Sequence, residues 1–406
     1  MLWIYNIGIT LYGFILKIAA LFNPKAKLFI NGRKNIWQQM ASQINDHDRP
    51  IWFHFASLGE FEQGRPVLEA LKSQKAQQKI IVTFFSPSGY EIRKNYALAD
   101  VFYLPLDTRK NAERFIKLVN PQQAIFTKYE FWFHYFNELH KKQIPLYLIS
   151  GIFRPNQTFF KWYGSFYRNM LKYISHFFVQ NEESVSLLKN IGINQVSLSG
   201  DTRFDRVYEN AHHPKSLPLI EQFCGDDNVF IAGSTWLPDE KLLIALTANN
   251  PNWKFIIAPH EIEETHIQEI ENLFPNAIKF SALNSQLKQH STLNSQILII
   301  DNIGMLSSLY QYGKIAYIGG GFGAGIHNTL EAAAFGLPVI FGPKYDKFQE
   351  AKDLIAIGAA KSISSEEELI NAFENYKANK KASAAAKKYV EQQKGATEMI
   401  IRKIAN

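Results

Sequence analysis

The sequence predicts an α/β fold of two Rossmann-like halves, and three observations lead there. Apolar runs of strand length alternate with segments of helical period. They fall into two series, separated by a polar, proline-bearing stretch at residues 211–218. Late in the second series a strand runs into the glycine-rich turn Gly319-Gly-Gly-Phe-Gly-Ala-Gly325. Helices that cover both faces of a parallel sheet leave its strands as unbroken apolar runs. A chain of 406 residues is also too long for one ordinary core.

In chain order, residues 2–22 come first and are nearly all apolar, interrupted by Asn6, Thr10 and Lys17. A membrane span needs roughly 20 such residues. A secretory leader carries positive charge ahead of its apolar run. Here Lys25, Lys27, Arg33 and Lys34 follow the run, which by the positive-inside rule keeps the rest of the chain on the cytoplasmic side. Residues 1–24 therefore read as a hydrophobic anchor. Two placements stand for it, one spanning the bilayer and one lying in its interface or against the protein.

The first domain is expected over residues 25–210. Its strands read at 51–55, 80–84, 124–127, 146–149 and 177–179, and helical segments at 64–72, 111–119 and 182–191. After the linker at 211–218, the second domain is expected over 219–385. Its strands read at 229–232, 253–258, 277–280, 297–300, 315–318 and 339–341. Residues 386–406 close the chain as a helix expected to pack back toward the first domain. The lysine-rich stretch at 377–388 reads as a solvated helix face.

Composition narrows the function classes. A hydrophobic share of 46% with 20% charged residues excludes a disordered chain. The one cysteine, Cys224, excludes an internal disulfide framework and a zinc site built on cysteines. A net charge of +7 favours anionic partners. That charge is dispersed and no recognition motif accompanies it, so nucleic acid is not expected. His54, His134, His260 and His327 are scattered without metal-ligand spacing, and neither a metal nor a cofactor is expected.

The turns carry the chemistry. Glycines at 319–325 let backbone amides approach an anion, and a helix expected to open at Asn328 would add unpaired N–H groups and a partial positive charge. Glu331, inside that helix, is placed to reach a ribose diol. The spacing Gly319-x-Gly321-x-x-Ala324 fits a dinucleotide fingerprint loosely. No acidic residue ends the next strand, which speaks against NAD. In the first half, the strand at 51–55 ends in Ala56-Ser-Leu-Gly59, and Glu60 enters the next helix. Ligands of open α/β sheets sit outside the carboxyl ends of the strands. The two turns thus point to a cleft between the halves, with Glu60 as a base for an attacking hydroxyl. Both glutamates have a second reading. Ser57-x-x-Glu60 and Asn328-x-x-Glu331 match a capping box, in which the glutamate only closes a helix end.

Laid along the chain, these motifs resemble the 3-deoxy-D-manno-octulosonic acid (Kdo) transferases. The family's strand-turn signature around its catalytic glutamate is matched by Phe53-His-Phe-Ala-Ser-Leu-Gly-Glu60. Its T-G-N-L-K-F-D is matched by Ser199-Gly-Asp-Thr-Arg-Phe-Asp205, and its A-S-T-x-x-x-E-E by Gly233-Ser-Thr-Trp-Leu-Pro-Asp-Glu240. The D-x-x-G-E-L step corresponds to Asp301-Asn-Ile-Gly-Met-Leu306. The most specific block runs from Ala324-Gly-Ile-His327-Asn328-Thr-Leu-Glu331 to Pro343.

The resemblance implies a GT-B fold, two Rossmann-like domains facing a central cleft behind an N-terminal anchor helix. It implies inverting transfer of Kdo from CMP-Kdo to a lipid A precursor in lipopolysaccharide biosynthesis, with Glu60 as general base. The setting would be the cytoplasmic face of the cell inner membrane, with membrane lipid as a further partner. Ser234, His260, Gly320, Gly321, His327, Asn328 and Glu331 would bind the donor nucleotide. This chain departs from its relatives at Ala258-Pro259-His260, where an arginine is expected. It departs again at Lys128-Tyr-Glu130-Phe-Trp132 and at Phe341-Gly-Pro-Lys344. Arg154, Arg203 and Lys344 are therefore candidates to meet the Kdo carboxylate or the phosphate. Another GT-B enzyme using a UDP-sugar, a transferase or an epimerase, remains the alternative.

Overall fold

A run such as Ile51-Trp-Phe-His-Phe55 can be buried on both faces only within a parallel sheet covered by helices, and there it lies, every residue buried. The computed structural model describes residues 1–45, 47–289 and 295–405. They form two compact units, Met1–Asp205 with Lys394–Asn406, and Arg206–Gln393.

The first unit holds a seven-stranded parallel sheet of β1 (Ile51–Phe55), β2 (Ile80–Phe84), β3 (Asp100–Tyr103), β4 (Gln123–Thr127), β5 (Leu146–Gly151), β6 (His176–Val179) and β7 (Val196–Leu198). Their spatial order is β3-β2-β1-β4-β5-β6-β7, so the direction of winding reverses between β1 and β4. One face buries Trp52, Phe115, Phe126 and Tyr135, the other Phe53, Phe55, Phe61 and Phe84. The helix Ala396–Ile404 packs on the second face through Ile400, Ile401 and Ile404.

The second unit repeats the plan with β8 (Asn228–Thr235), β9 (Trp253–Pro259), β10 (Ile278–Lys279), β11 (Ile297–Ile299), β12 (Ile315–Ile318), β13 (Val339–Phe341) and β14 (Ala360–Ser362). The order is β10-β11-β9-β8-β12-β13-β14, which reverses between β8 and β12. Both units are thus doubly wound α/β sheets, the GT-B building block.

Several boundaries differ from expectation. The strands the sequence does not predict, β3, β7 and β14, are all sheet edges. An edge strand is short and tolerates charge, and these carry Asp100, Ser197 and Lys361. The expected strand at 277–280 contracts to β10, because a helix begins at Phe280. Residues 211–218 are not wholly a linker: the helix Thr202–His212 enters them, and another starts at Pro218. Residues 386–406 form two helix segments, parted at Gly395, where φ is +115°.

The helix expected to open at Asn328 opens at Leu330 and is five residues long, Leu330–Ala334. Asn328 Oδ1 accepts from Leu330 N (3.1 Å), an early turn that holds residues 328 and 329 outside the helix. Few aligned peptides then stand behind its N-terminus, and the helix-dipole argument for phosphate loses most of its strength.

The N-terminal helix, Leu2–Ala19, lies along the first unit. Its inner face is polar and aromatic. The Tyr5 hydroxyl donates to the buried Asp107 carboxylate, and His134 Nε2 donates to Asn6 Oδ1 at 2.6 Å. Tyr12 stacks on Phe85, with ring centroids 6.1 Å apart. At Gly13 a Cβ would fall 2.8 Å from Leu106 Cδ1, so a larger residue there would push that leucine methyl aside. The outer face exposes Trp3, Ile7, Leu11, Phe14, Ile15 and Ile18.

Candidate functional site

Where winding reverses, the loops after two neighbouring strands part and leave a crevice at their carboxyl ends. In the first unit the loops after β1 and β4 each carry a glutamate there. β1 gives way through Ala56 and Ser57 to the helix Leu58–Gln74. The Ser57 hydroxyl makes no cap bond to a helix N–H and donates instead to Glu60 Oε2. The capping-box reading of this pair therefore does not hold. Glu60 is half-buried, and among the described residues the Ser57 hydroxyl is the partner that holds its carboxylate.

After β4 the chain kinks through Lys128, at φ +57°, a region costly for a side-chain-bearing residue. Glu130 Oε2 then accepts from Trp132 Nε1 at 2.9 Å and meets His54 Nε2 at 3.2 Å. His54 is fully buried in β1, and its Nδ1 lies 2.9 Å from Thr83 Oγ1. Tyr129 stands between the two glutamates in the sequence of the loops. Burial pushes its phenol above the ordinary value, Arg154 pulls it down and Glu60 pushes it up, so the ring lies within electrostatic reach of both. Arg154 follows β5 and is exposed. The structure thus puts Tyr129 within electrostatic reach of Glu60 and Arg154, and pairs the next residue, Glu130, with His54. Among the described residues, buried Thr127 Oγ1 and Gln63 Oε1, at the Glu60 helix, have no hydrogen-bond partner.

Arg203 has a different setting. Its Nε and Nη2 each lie 2.8 Å from Asp201 Oδ2, and Gln63 of the Glu60 helix donates to the same carboxylate. Asp205, ending the same motif, accepts from Gly395 N (2.5 Å) and Thr397 N (2.7 Å) at the start of the last helix. Both aspartates of Ser199-Gly-Asp-Thr-Arg-Phe-Asp205 thus bind chain to chain within this unit.

In the second unit the reversal lies between β8 and β12, and the remaining candidates collect there. Ser234 sits at a register shift in β8 with φ +54°. Three rings follow one another: Trp236 over His260 at 4.9 Å, and His260 over His327 at 4.2 Å, nearly parallel. Trp236 Nε1 donates to His327 Nε2 at 3.2 Å, which assigns the His327 proton to Nδ1. Burial, with a smaller push from His260, lowers His327 to about 4, so it is neutral at pH 7. His260 is the exposed member of the stack.

The glycines of the turn work differently from the expectation. Gly320 has φ +91° and gives its N–H to Asp239 Oδ2 (2.9 Å), so this amide is not offered to an anion. Asp239 also accepts from Trp236 N (3.0 Å) and Tyr317 Oη (2.7 Å), and burial raises its pKa despite these donors. A Cβ on Gly321 would fall 2.6 Å from Gly342 Cα, so this glycine lets two strand ends touch. Both Gly320 and Gly321 are buried.

Asn328 Nδ2 donates to Glu331 Oε1 at 3.2 Å. The Glu331 carboxylate is thereby held at the turn rather than closing a helix end. Thr329, next in the chain, is fully buried, and its Oγ1 has no partner among the described residues. Lys344 is exposed and donates to Gly323 O (2.8 Å), tying the turn to the loop after β13. Trp236, Asp239, Tyr129 and the His54–Glu130 pair are the participants that sequence reasoning did not assign to the site. The place of Trp236 and Tyr129, just past strands at a winding reversal, is the signal that finds them.

A family model described as 3-deoxy-D-manno-octulosonic-acid transferase (kdotransferase) matches residues 30–206, the stretch that carries Glu60. Among curated relatives, a 3-deoxy-D-manno-octulosonic acid transferase of Aquifex aeolicus is 28% identical, covering 79% of this chain and 84% of its own. One of Chlamydia muridarum is 26% identical, with 90% and 86% covered. A bifunctional glycosyltransferase/methyltransferase of Fusobacterium nucleatum is 26% identical over 97% of this chain, which spans only 63% of that relative's length. Of solved structures, the UDP-GlcNAc 2-epimerase of Neisseria meningitidis has a TM-score of 0.61 at 16% identity, covering 87% of this chain and 98% of the other. A glycosyltransferase of Rickettsia africae reaches 0.56 at 14% identity, with 88% and 97% covered. At such identities the likeness is one of fold.

Proposed function

Because the chain belongs to the 3-deoxy-D-manno-octulosonic acid transferase family of GT-B glycosyltransferases, we propose that it moves Kdo from CMP-Kdo to a hydroxyl of a lipid A precursor, with Glu60 as general base. The observation that carries this reading is the setting of Glu60: half-buried, at the winding reversal, and held by Ser57 rather than by the helix. In the reaction Glu60 takes the proton of the acceptor hydroxyl. The hydroxyl oxygen attacks the anomeric carbon of Kdo from the face opposite CMP. The bond from that carbon to the phosphate oxygen breaks, and CMP leaves with the electron pair. Displacement on the opposite face inverts the configuration. Ser57 fixes the carboxylate rotamer, and preorganising a base in this way supports a contribution of about 10²–10⁴ in rate. Arg154 suits the Kdo carboxylate, being an exposed cation whose field reaches Tyr129 beside Glu60.

The second unit supplies the donor contacts in this reading. The rings of His260, His327 and Trp236 are uncharged at pH 7 on the His327 side and offer an aromatic wall to cytosine. Ser234 and Asn328 offer hydrogen bonds to the phosphate, and Glu331 to the ribose hydroxyls. Lys344 adds positive charge against the leaving CMP. Gly320 and Gly321 shape the turn and are not phosphate donors themselves. The outer face of the N-terminal helix, apolar and backed by Lys17, Lys25 and Lys27, fits the interface of an anionic membrane on the cytoplasmic side.

The nucleotide distinguishes this reading from a UDP-sugar enzyme of the same fold. Thermal shift of the purified protein with CMP and with UDP tests it. Stabilisation by CMP at concentrations where UDP has no effect is expected. Stabilisation by UDP alone would replace the donor assignment.

A further inference from the structure

The inner end of the N-terminal helix does not close fully on the protein. Between it and the helix Ser165–Leu171 lies a cavity of about 300 Å³, lined by Ile4, Tyr5, Gly8, Ile9, Phe166 and Tyr167. Its wall is carbon. The Tyr5 hydroxyl is turned away into Asp107, and the Tyr5 ring packs against Phe133 and Phe166 at 6.0 and 5.8 Å. At Gly8 a Cβ would meet nothing within 4 Å, so the helix carries a gap there that protein does not fill.

We propose that this groove is an acyl-chain subsite for the phosphorylated glycolipid acceptor, an inference that rests on the transferase reading above. Two observations choose that occupant. The first is continuity with the site. The groove's Tyr5 touches Phe133, one residue beyond Trp132, whose indole holds Glu130, in the loop whose Tyr129 lies within electrostatic reach of Glu60. The second is charge. The groove's two walls come from segments without a single carboxylate. No Asp or Glu occurs in residues 1–45 or between Glu138 and Glu182, while Lys17, Lys25, Lys27, Arg33, Lys34, Arg154, Lys161, Arg168 and Lys172 do. An apolar slot whose two wall helices carry Lys17 and Arg168 and no carboxylate, with Asp107 buried behind Tyr5, suits a chain whose other end is phosphorylated. A neutral lipid would gain nothing from that surround.

The test uses the full chain in detergent and a Gly8→Trp variant, whose Cβ starts in open space at the groove. Binding of a tetra-acylated glucosamine disaccharide bisphosphate is measured by calorimetry without donor, then the Michaelis constant for the same acceptor with donor. The O-deacylated disaccharide bisphosphate serves as the second acceptor. Binding and Michaelis constant for the acylated acceptor should weaken about tenfold, ~1.4 kcal/mol, with the deacylated acceptor and the donor constant unaffected. Ile15→Ser, on the outer face, should reduce sedimentation with phosphatidylglycerol vesicles yet leave the acceptor constant in detergent unchanged. Unchanged acylated-acceptor binding in Gly8→Trp, or an equal loss with both acceptors, overturns the subsite. Wild-type protein that binds the acylated acceptor through the groove but transfers nothing to it overturns the transferase reading and leaves the groove's ligand standing.

Discussion

At the residue scale, neighbours decide which charge a side chain can carry. His327 is the clearest case. Its ring is packed under His260 and accepts the Trp236 indole proton, so a proton on Nε2 would have to displace that bond. Its folded value, about 4, lies below the ordinary histidine value of 6.5, so unfolding takes up protons between the two. The stability tied to a neutral His327 is therefore complete above about pH 6.5 and is lost as pH falls toward 4. Denaturant titrations at pH 7 and pH 5 should show wild type losing more stability on acidification than His327→Gln. Equal losses would mean that His327 titrates normally. Glu60 is held by one hydroxyl and Glu130 by an indole and an imidazole, and this contrast separates them. The first keeps room for a substrate proton, while the second is fastened into the protein.

At the scale of elements, the motif at 199–205 shows how a signature can serve the scaffold. Asp205 caps the last helix through Gly395 N and Thr397 N, and Ile400, Ile401 and Ile404 of that helix complete the core under β1 and β2. Asp205→Ala should cost about 1–2 kcal/mol, with hydrogen exchange quickening first over residues 396–404. Uniform protection loss across the unit would contradict a local cap. Much of this architecture is legible in the sequence, for a physical reason. Ile51–Phe55, Ile80–Phe84, Ile315–Ile318 and Val339–Phe341 are buried on both faces and read as apolar runs with sharp ends. The edges β3, β7 and β14 do not, because one side of an edge strand can carry polar residues. Glu60 is legible because strand, turn and helix are contiguous. The ring stack is not, since Trp236, His260 and His327 come from three separate loops and meet only when β8, β9 and β12 pair. The helix at Asn328 misreads for a local reason. Asn-x-x-Glu has the spacing of a capping box, but here the asparagine bonds two residues ahead and holds the glutamate with its own amide.

At the scale of the whole molecule, the proposed chemistry is divided between the two units. The first carries Glu60, the basic segments and the apolar outer face of the N-terminal helix. The second carries the ring stack and Glu331. That helix is fastened to the first unit by Tyr5, Asn6 and Tyr12 along its length. In the proposed reaction Glu60 removes the proton from a lipid-borne hydroxyl as Kdo arrives. Mass spectrometry of the lipid after incubating purified wild-type and Glu60→Gln protein with CMP-Kdo and a tetra-acylated lipid A precursor tests it most directly. Lipid heavier by one or more whole Kdo residues is expected with wild type, and a rate lower by about 10²–10⁴ with Glu60→Gln, which keeps the shape and removes the base. Kdo addition by Glu60→Gln at the wild-type rate would contradict it.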